Sequence, residues 1–151
     1  MTLGATQASG DGMRGIGIYA GTGPGEPGGL AFDLAQLVEA LGMRGRVARW
    51  RALPSPSYVS DVDIAPFEAA SDGPGPWISG EEFLACARAV QQVIDGEFQA
   101  MQPGDRSRPW LVLRAVDSSW WEAYSDDPDV EGALRRAFHD LRPARYQPRA
   151  T

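Results

Sequence analysis

The sequence predicts an α+β domain, a mostly antiparallel sheet with its helices on one face. Three observations lead there. Strand-like and helix-like periodicities alternate along the chain. Short turns rich in Pro, Ser and Asp join successive strand candidates, as antiparallel neighbours require. At 151 residues, the chain is a single-domain length that buries about two thirds of its unfolded surface.

From the N-terminus, residues 1–12 have neither a basic start nor an apolar segment and read as a flexible leader, with Met13 an equally good start. Arg14 to Ala20 alternates Ile16, Ile18 and Ala20 on one face, a short strand. A glycine-rich run, Gly21 to Gly29, precedes Leu30 to Leu41, where Leu30, Leu34, Leu37, Val38 and Leu41 make one helical face and Gly42 can cap it. Arg46 to Leu53 and Tyr58 to Phe67 read as a hairpin about Pro54-Ser55-Pro56-Ser57. Its expected register sets Arg51 against Asp61, Arg49 against Asp63, Trp50 against Val62 and Ala48 against Ile64. After a linker from Ser71 to Pro76, Ser79 and Glu82 form a capping box, with Ile78 and Phe83 placed as a staple. Phe83, Ala87, Val90, Ile94, Phe98 and Met101 then predict one long helix, weakened at Gly96 and ended by Pro103-Gly104.

Trp110 to Leu141 is the most self-consistent stretch. It pairs WLVLRAV with WWEAYS across an Asp117-Ser118-Ser119 turn. Asp127 and Pro128 then start a helix with the stripe Val130, Leu134, Ala137, Phe138 and Leu141. The order β-α-β-β-α-β matches a ferredoxin-like domain with a C-terminal β-α extension. The domain spans 13–142, and 143–151 reads as a flexible polar tail.

Hydrophobic residues make up 43% of the chain, which opposes disorder. No run is long and apolar enough to suggest a membrane span. The single cysteine cannot form an intramolecular disulfide, and with no export signal a cytoplasmic setting is expected. All 14 basic residues are arginine, and there is no asparagine either, a bias that a GC-rich genome explains. Net charge −6 opposes nucleic-acid binding, which needs a basic surface.

Most chemical motifs have a plainer structural account. Gly23 to Gly28 fits G-x-G-x-x-G, but Pro24 and Pro27 remove N–H donors and Glu26 adds repulsive charge. Asp61 and Asp63 are better read as arginine partners than as metal ligands. Helix capping accounts for Asp126, Asp127 and Asp129. His139 falls in the last turn of a helix, where a cation suits the dipole. Cys86 borders an apolar face, and one His with one Cys cannot supply a zinc site. No catalytic residue, metal or cofactor is assigned.

The predicted hairpin is different. A three-residue turn pairs Arg114 with Glu122, Val116 with Trp120 and Val112 with Tyr124, on one face with Trp110. Leu111, Leu113, Ala115, Trp121 and Ala123 take the other and must face the helices. The first set would lie on the open side of the sheet, yet its composition is that of an interface core. Either a partner covers it, or the last helix or tail folds over it.

Arg14-Gly15-Ile16 and Val116-Asp117-Ser118-Ser119 resemble a family of small uncharacterised bacterial proteins, a resemblance that implies no particular activity. An acidic single domain with an aromatic surface is also similar in general character to bacterial immunity proteins, which would imply a basic toxin as partner. The expectation from sequence is therefore a non-enzymatic interaction module, binding a protein partner or a second copy through Trp110, Val112, Arg114, Trp120, Glu122 and Tyr124. The alternative is a small-molecule-binding or enzymatic domain using the open sheet face or the Gly21–Gly29 loop.

Overall fold

Eight strands form one sheet in a computed structural model that describes residues 13–20, 32–105 and 107–148. The strands are β1 (Gly15–Tyr19), β2 (Arg49–Ala52), β3 (Ser57–Val59), β4 (Ile78–Ser79), β5 (Gln92–Met101), β6 (Leu111–Val116), β7 (Trp120–Tyr124) and β8 (Asp140–Pro143). Among the described residues the helices are α1 (Leu34–Ala40), α2 (Met43–Val47), α3 (Ala65–Glu68), α4 (Gly80–Ala89) and α5 (Pro128–Ala137). The sheet order is β4-β2-β5-β6-β7-β1-β8, every pairing is antiparallel, and β3 pairs with the start of β5 while β2 pairs with its end.

The α+β class with a mostly antiparallel sheet is what the sequence predicts; the ferredoxin-like order is not. β1 lies between β7 and β8, far from β2. The largest local correction is at Gln92–Met101, expected as helix and found as β5. Helix α4 starts where expected, with the Ser79 hydroxyl accepting from Glu82 N–H at 3.1 Å, but ends at Ala89. Val90, Val93 and Ile94 are β-branched, and Gly96 disfavours a helix by about 1 kcal/mol. Because β5 runs between β6 on one edge and β2 and β3 on the other and is buried through Gly96–Ala100, its apolar residues lose the strict alternation that would mark a strand.

The expected 46–53/58–67 hairpin is also replaced. Trp50 pairs with Ala100 and Ile78, Arg49 with Met101, and Arg51 with Gln99. Pro66, which cannot donate to a strand ladder, sits in the first turn of α3. Asp61 and Asp63 lie exposed in the preceding loop.

One buried cluster joins the helices to the sheet: Leu34, Leu37 and Val38, Phe83 and Leu84, and Val130 and Leu134 meet Ile18, Trp50, Phe98, Leu113 and Trp121. Each such side chain contributes about 1.5–3 kcal/mol through burial. Trp50 stacks on Phe83 with centroids 4.7 Å apart and donates its indole N–H to Gly45 O at 2.9 Å. The start of α4 comes so close to α2 that a Cβ on Gly80 would lie 2.3 Å from Arg46 O. At the start of α1, burial pushes the Asp33 carboxyl up to about 6, although it accepts from Val93 N–H at 3.1 Å.

Candidate interaction surface

The 111–124 hairpin has the expected register: Val112 opposite Tyr124, Arg114 opposite Glu122, Val116 opposite Trp120. Asp117 and Ser118 turn the chain with φ of 49° and 58°, the left-handed twist that a tight hairpin needs. Leu111, Leu113, Ala115, Trp121 and Ala123 point into the helix-side cluster. Trp110 departs from its expected place. It precedes β6, packs with the helix-side cluster and donates its indole N–H to the Asp127 carboxylate at 3.0 Å, with Arg44 stacked at 4.9 Å.

The pairing aligns two rows across the helix-free face, the side of the sheet that carries no helix among the described residues. One runs Arg51, Gln99, Val112, Tyr124, Gly15, and the next Glu97, Arg114, Glu122, Gly17, Arg142. Gly15 is required by this row, since a Cβ there would lie 2.6 Å from the Tyr124 ring and 2.9 Å from Ala144. Glu122 is fully buried at 0% exposure. Its carboxylate accepts from Trp120 Nε1 at 3.0 Å, from the Tyr124 hydroxyl, and from the backbone N–H groups of Arg145 (2.7 Å) and Tyr146 (3.2 Å). Four donors offset the cost of burying that charge. Burial and the neighbouring carboxylate push the Tyr124 phenol far up, so it keeps its proton and remains a donor.

The segment after β8 covers this end of the face. Tyr146 lies parallel to Trp120 at 6.2 Å, Arg145 sits 5.0 Å from the Trp120 ring, and Arg114 packs on Tyr146 at 4.8 Å while donating to Gln147 O at 3.4 Å. Val112 and Tyr124 are each 1% exposed, Trp120 is half-buried, and Arg114 stays next to Glu97 at 4.0 Å. The stretch from 143 thus ends β8 and then packs on the sheet through Ala144, Arg145, Tyr146 and Gln147, the second of the two covers that the sequence allows.

Among the described residues, nothing covers the opposite end of the same face. Arg49, Arg51, Trp77, Gln99, Met101 and Arg108 are among the residues lining a groove of about 420 Å³. The Arg51 guanidinium lies 4.6 Å and that of Arg49 5.7 Å from the Trp77 ring. Arg51 Nε donates to Gln99 Oε1 at 3.0 Å, and Gln99 is 3% exposed. Burial lowers the Arg51 pKa. Arg108 is paired with Asp126, whereas neither Arg49 nor Arg51 enters a carboxylate ion pair among the described residues. Sequence reasoning missed this groove because it spent both arginines on Asp61 and Asp63 and left Trp77 in a linker. The readable signal was Arg-x-Arg at strand spacing.

The other candidates lie apart. Asp127 caps α5 by accepting from Asp129 N–H at 2.9 Å and pairs with Arg44 at 2.5 Å. His139 is exposed beyond α5, and burial raises the Cys86 thiol pKa, which disfavours its thiolate. The Gly21–Gly29 run lies outside the described residues. Among the described residues, no group of three His, Cys, Asp or Glu side chains is placed to hold a metal ion, and no helix is long and apolar enough to cross a membrane. No protein-family model, curated protein or solved structure matches this chain.

Proposed function

We propose that the chain is a non-enzymatic binding module that meets a protein partner through the open end of its helix-free sheet face. One observation carries this reading: Arg49 and Arg51 stand on Trp77 beside an open groove, without carboxylate partners among the described residues, in a chain of net charge −6. Arginine and tryptophan are enriched where interfaces concentrate their energy. The guanidinium, amide and indole groups of the groove hold ligands but do not exchange protons near neutral pH. The Trp120–Tyr124 end serves the chain's own C-terminal segment, so a partner there must first displace residues 144–147.

The test is affinity capture from the native source with the wild type and with Arg49→Glu/Arg51→Glu. The expected outcome is a protein recovered by the first and lost with the second. Equal recovery by both, or specific recovery by neither, overturns the reading. A second copy of the chain is a partner of the same kind, and sedimentation over a range of concentrations reports it directly.

A further inference from the structure

We infer that the Arg49–Arg51 groove takes an extended acidic peptide segment carrying carboxylates two residues apart, one for each guanidinium. This rests on the reading that the open end of the sheet is the binding surface, and it names the chemistry bound there.

Spacing is the first argument. Arg49 and Arg51 are alternate residues of β2 and share a face. Alternate strand residues stand about 7 Å apart, which is also the interval between same-side residues of an extended peptide. An acid-x-acid segment laid along β2 therefore meets both arginines without bending.

Geometry is the second. The Arg51 side chain is oriented by the bond from its Nε to Gln99 and by its stack on Trp77. With Nε so engaged, the two terminal NH₂ groups form the edge left for a ligand, and a planar guanidinium edge matches a carboxylate through two parallel hydrogen bonds. Holding the fork in advance reduces the ordering cost of binding.

Charge is the third. With Arg108 already paired to Asp126, Arg49 and Arg51 are the groove's two cations without an ion pair among the described residues, and they suit two carboxylates. A polyanion such as nucleic acid needs many phosphate contacts, more than two guanidinium groups supply.

The experiment is an NMR titration of the full chain, followed at the Trp77 indole N–H and the Arg51 Nε–H. The probes are a short peptide with glutamates two apart, the same peptide with glutamines in their place, and inorganic phosphate. The glutamate peptide is expected to shift both resonances and to weaken as salt is raised. Arg51→Lys, which keeps the charge but loses the fork, should weaken its binding about tenfold. Equal binding of the glutamine peptide, phosphate binding as tight as the glutamate peptide, or full affinity in Arg51→Lys each overturns the inference. If partner capture depends on Arg49 and Arg51 while no acidic peptide binds, the binding-module reading stands and this inference falls. Peptide binding without any captured partner reverses that result.

Discussion

At the β7 end of the helix-free face, Trp120, Tyr124 and Arg114 are gathered around a buried carboxylate, and residues 144–147 lie over them. At the β2 end, Trp77, Arg49 and Arg51 make a similar set on the same side of the same sheet and meet a groove. Glu122 marks the difference. Its carboxylate accepts more hydrogen bonds than the face itself donates, so it recruits two backbone N–H groups from the passing chain. Around the groove the corresponding position is Gln99, a neutral amide that engages one arginine. An arginine–aromatic surface is thus folding material or contact material according to whether its own chain supplies a buried acid.

The largest effect should come from breaking the sealed end. Glu122→Ala leaves the Tyr124 hydroxyl, the Trp120 indole and two backbone N–H groups without their acceptor, and should cost about 3–5 kcal/mol in urea unfolding. A loss below about 1 kcal/mol would show that the acid is not the hub of that end. Gly15→Val drives a side chain into Tyr124 and Ala144, with an expected cost of about 1–3 kcal/mol from overpacking.

A third measurement calibrates the scale away from either end. Folded Asp33 holds its proton to about pH 6, against an ordinary value of 3.8, so the folded chain binds more protons between those values. Its contribution favours the folded state in acid and is lost as pH rises through the folded value. Asp33→Asn should flatten this part of the pH dependence by about 1–2 kcal/mol, allowing for partial exposure, as read from unfolding midpoints at pH 4–7.

Tyr146→Ala removes the stack on Trp120 and should cost about 1 kcal/mol, while trypsin should cut sooner at Arg145. Smallest of all, Arg49→Ala, at an exposed side chain, should leave stability within about 0.5 kcal/mol. A larger loss there would make the open end structural and remove the contrast between the two ends.

Local chemistry was legible in the sequence wherever neighbours in the chain decide the outcome. The register of the 111–124 hairpin follows from a three-residue turn, and the starts of α4 and α5 follow from Ser79 and from Asp127-Pro128. What remained hidden depends on distant partners. Phe98 fits a helical stripe equally well until β2 and β6 are known to flank it. Arg49 and Arg51 look paired with Asp61 and Asp63 until β5 takes the place of the expected strand. The aromatic surface was visible, but its cover was not, because Arg145 and Tyr146 contribute backbone N–H groups whose identity no side chain signals.

The position of β1 bears on how the chain is made. Gly15–Ile18 pairs with Trp121–Tyr124, and Ile16–Tyr19 with Asp140–Pro143, so this strand finds both its neighbours only after β7 and β8 have been made. Loop closure over that separation is entropically slow and places the fold among those limited by non-local pairing. On the ribosome, the β5–β6–β7 meander can assemble as it emerges, whereas β1 must wait, its edges unpaired, until the segment that seals Glu122 is almost complete. Of the described strands, β1 is thus the one whose edges stay unpaired longest, and an unpaired edge is where unwanted strand pairing starts.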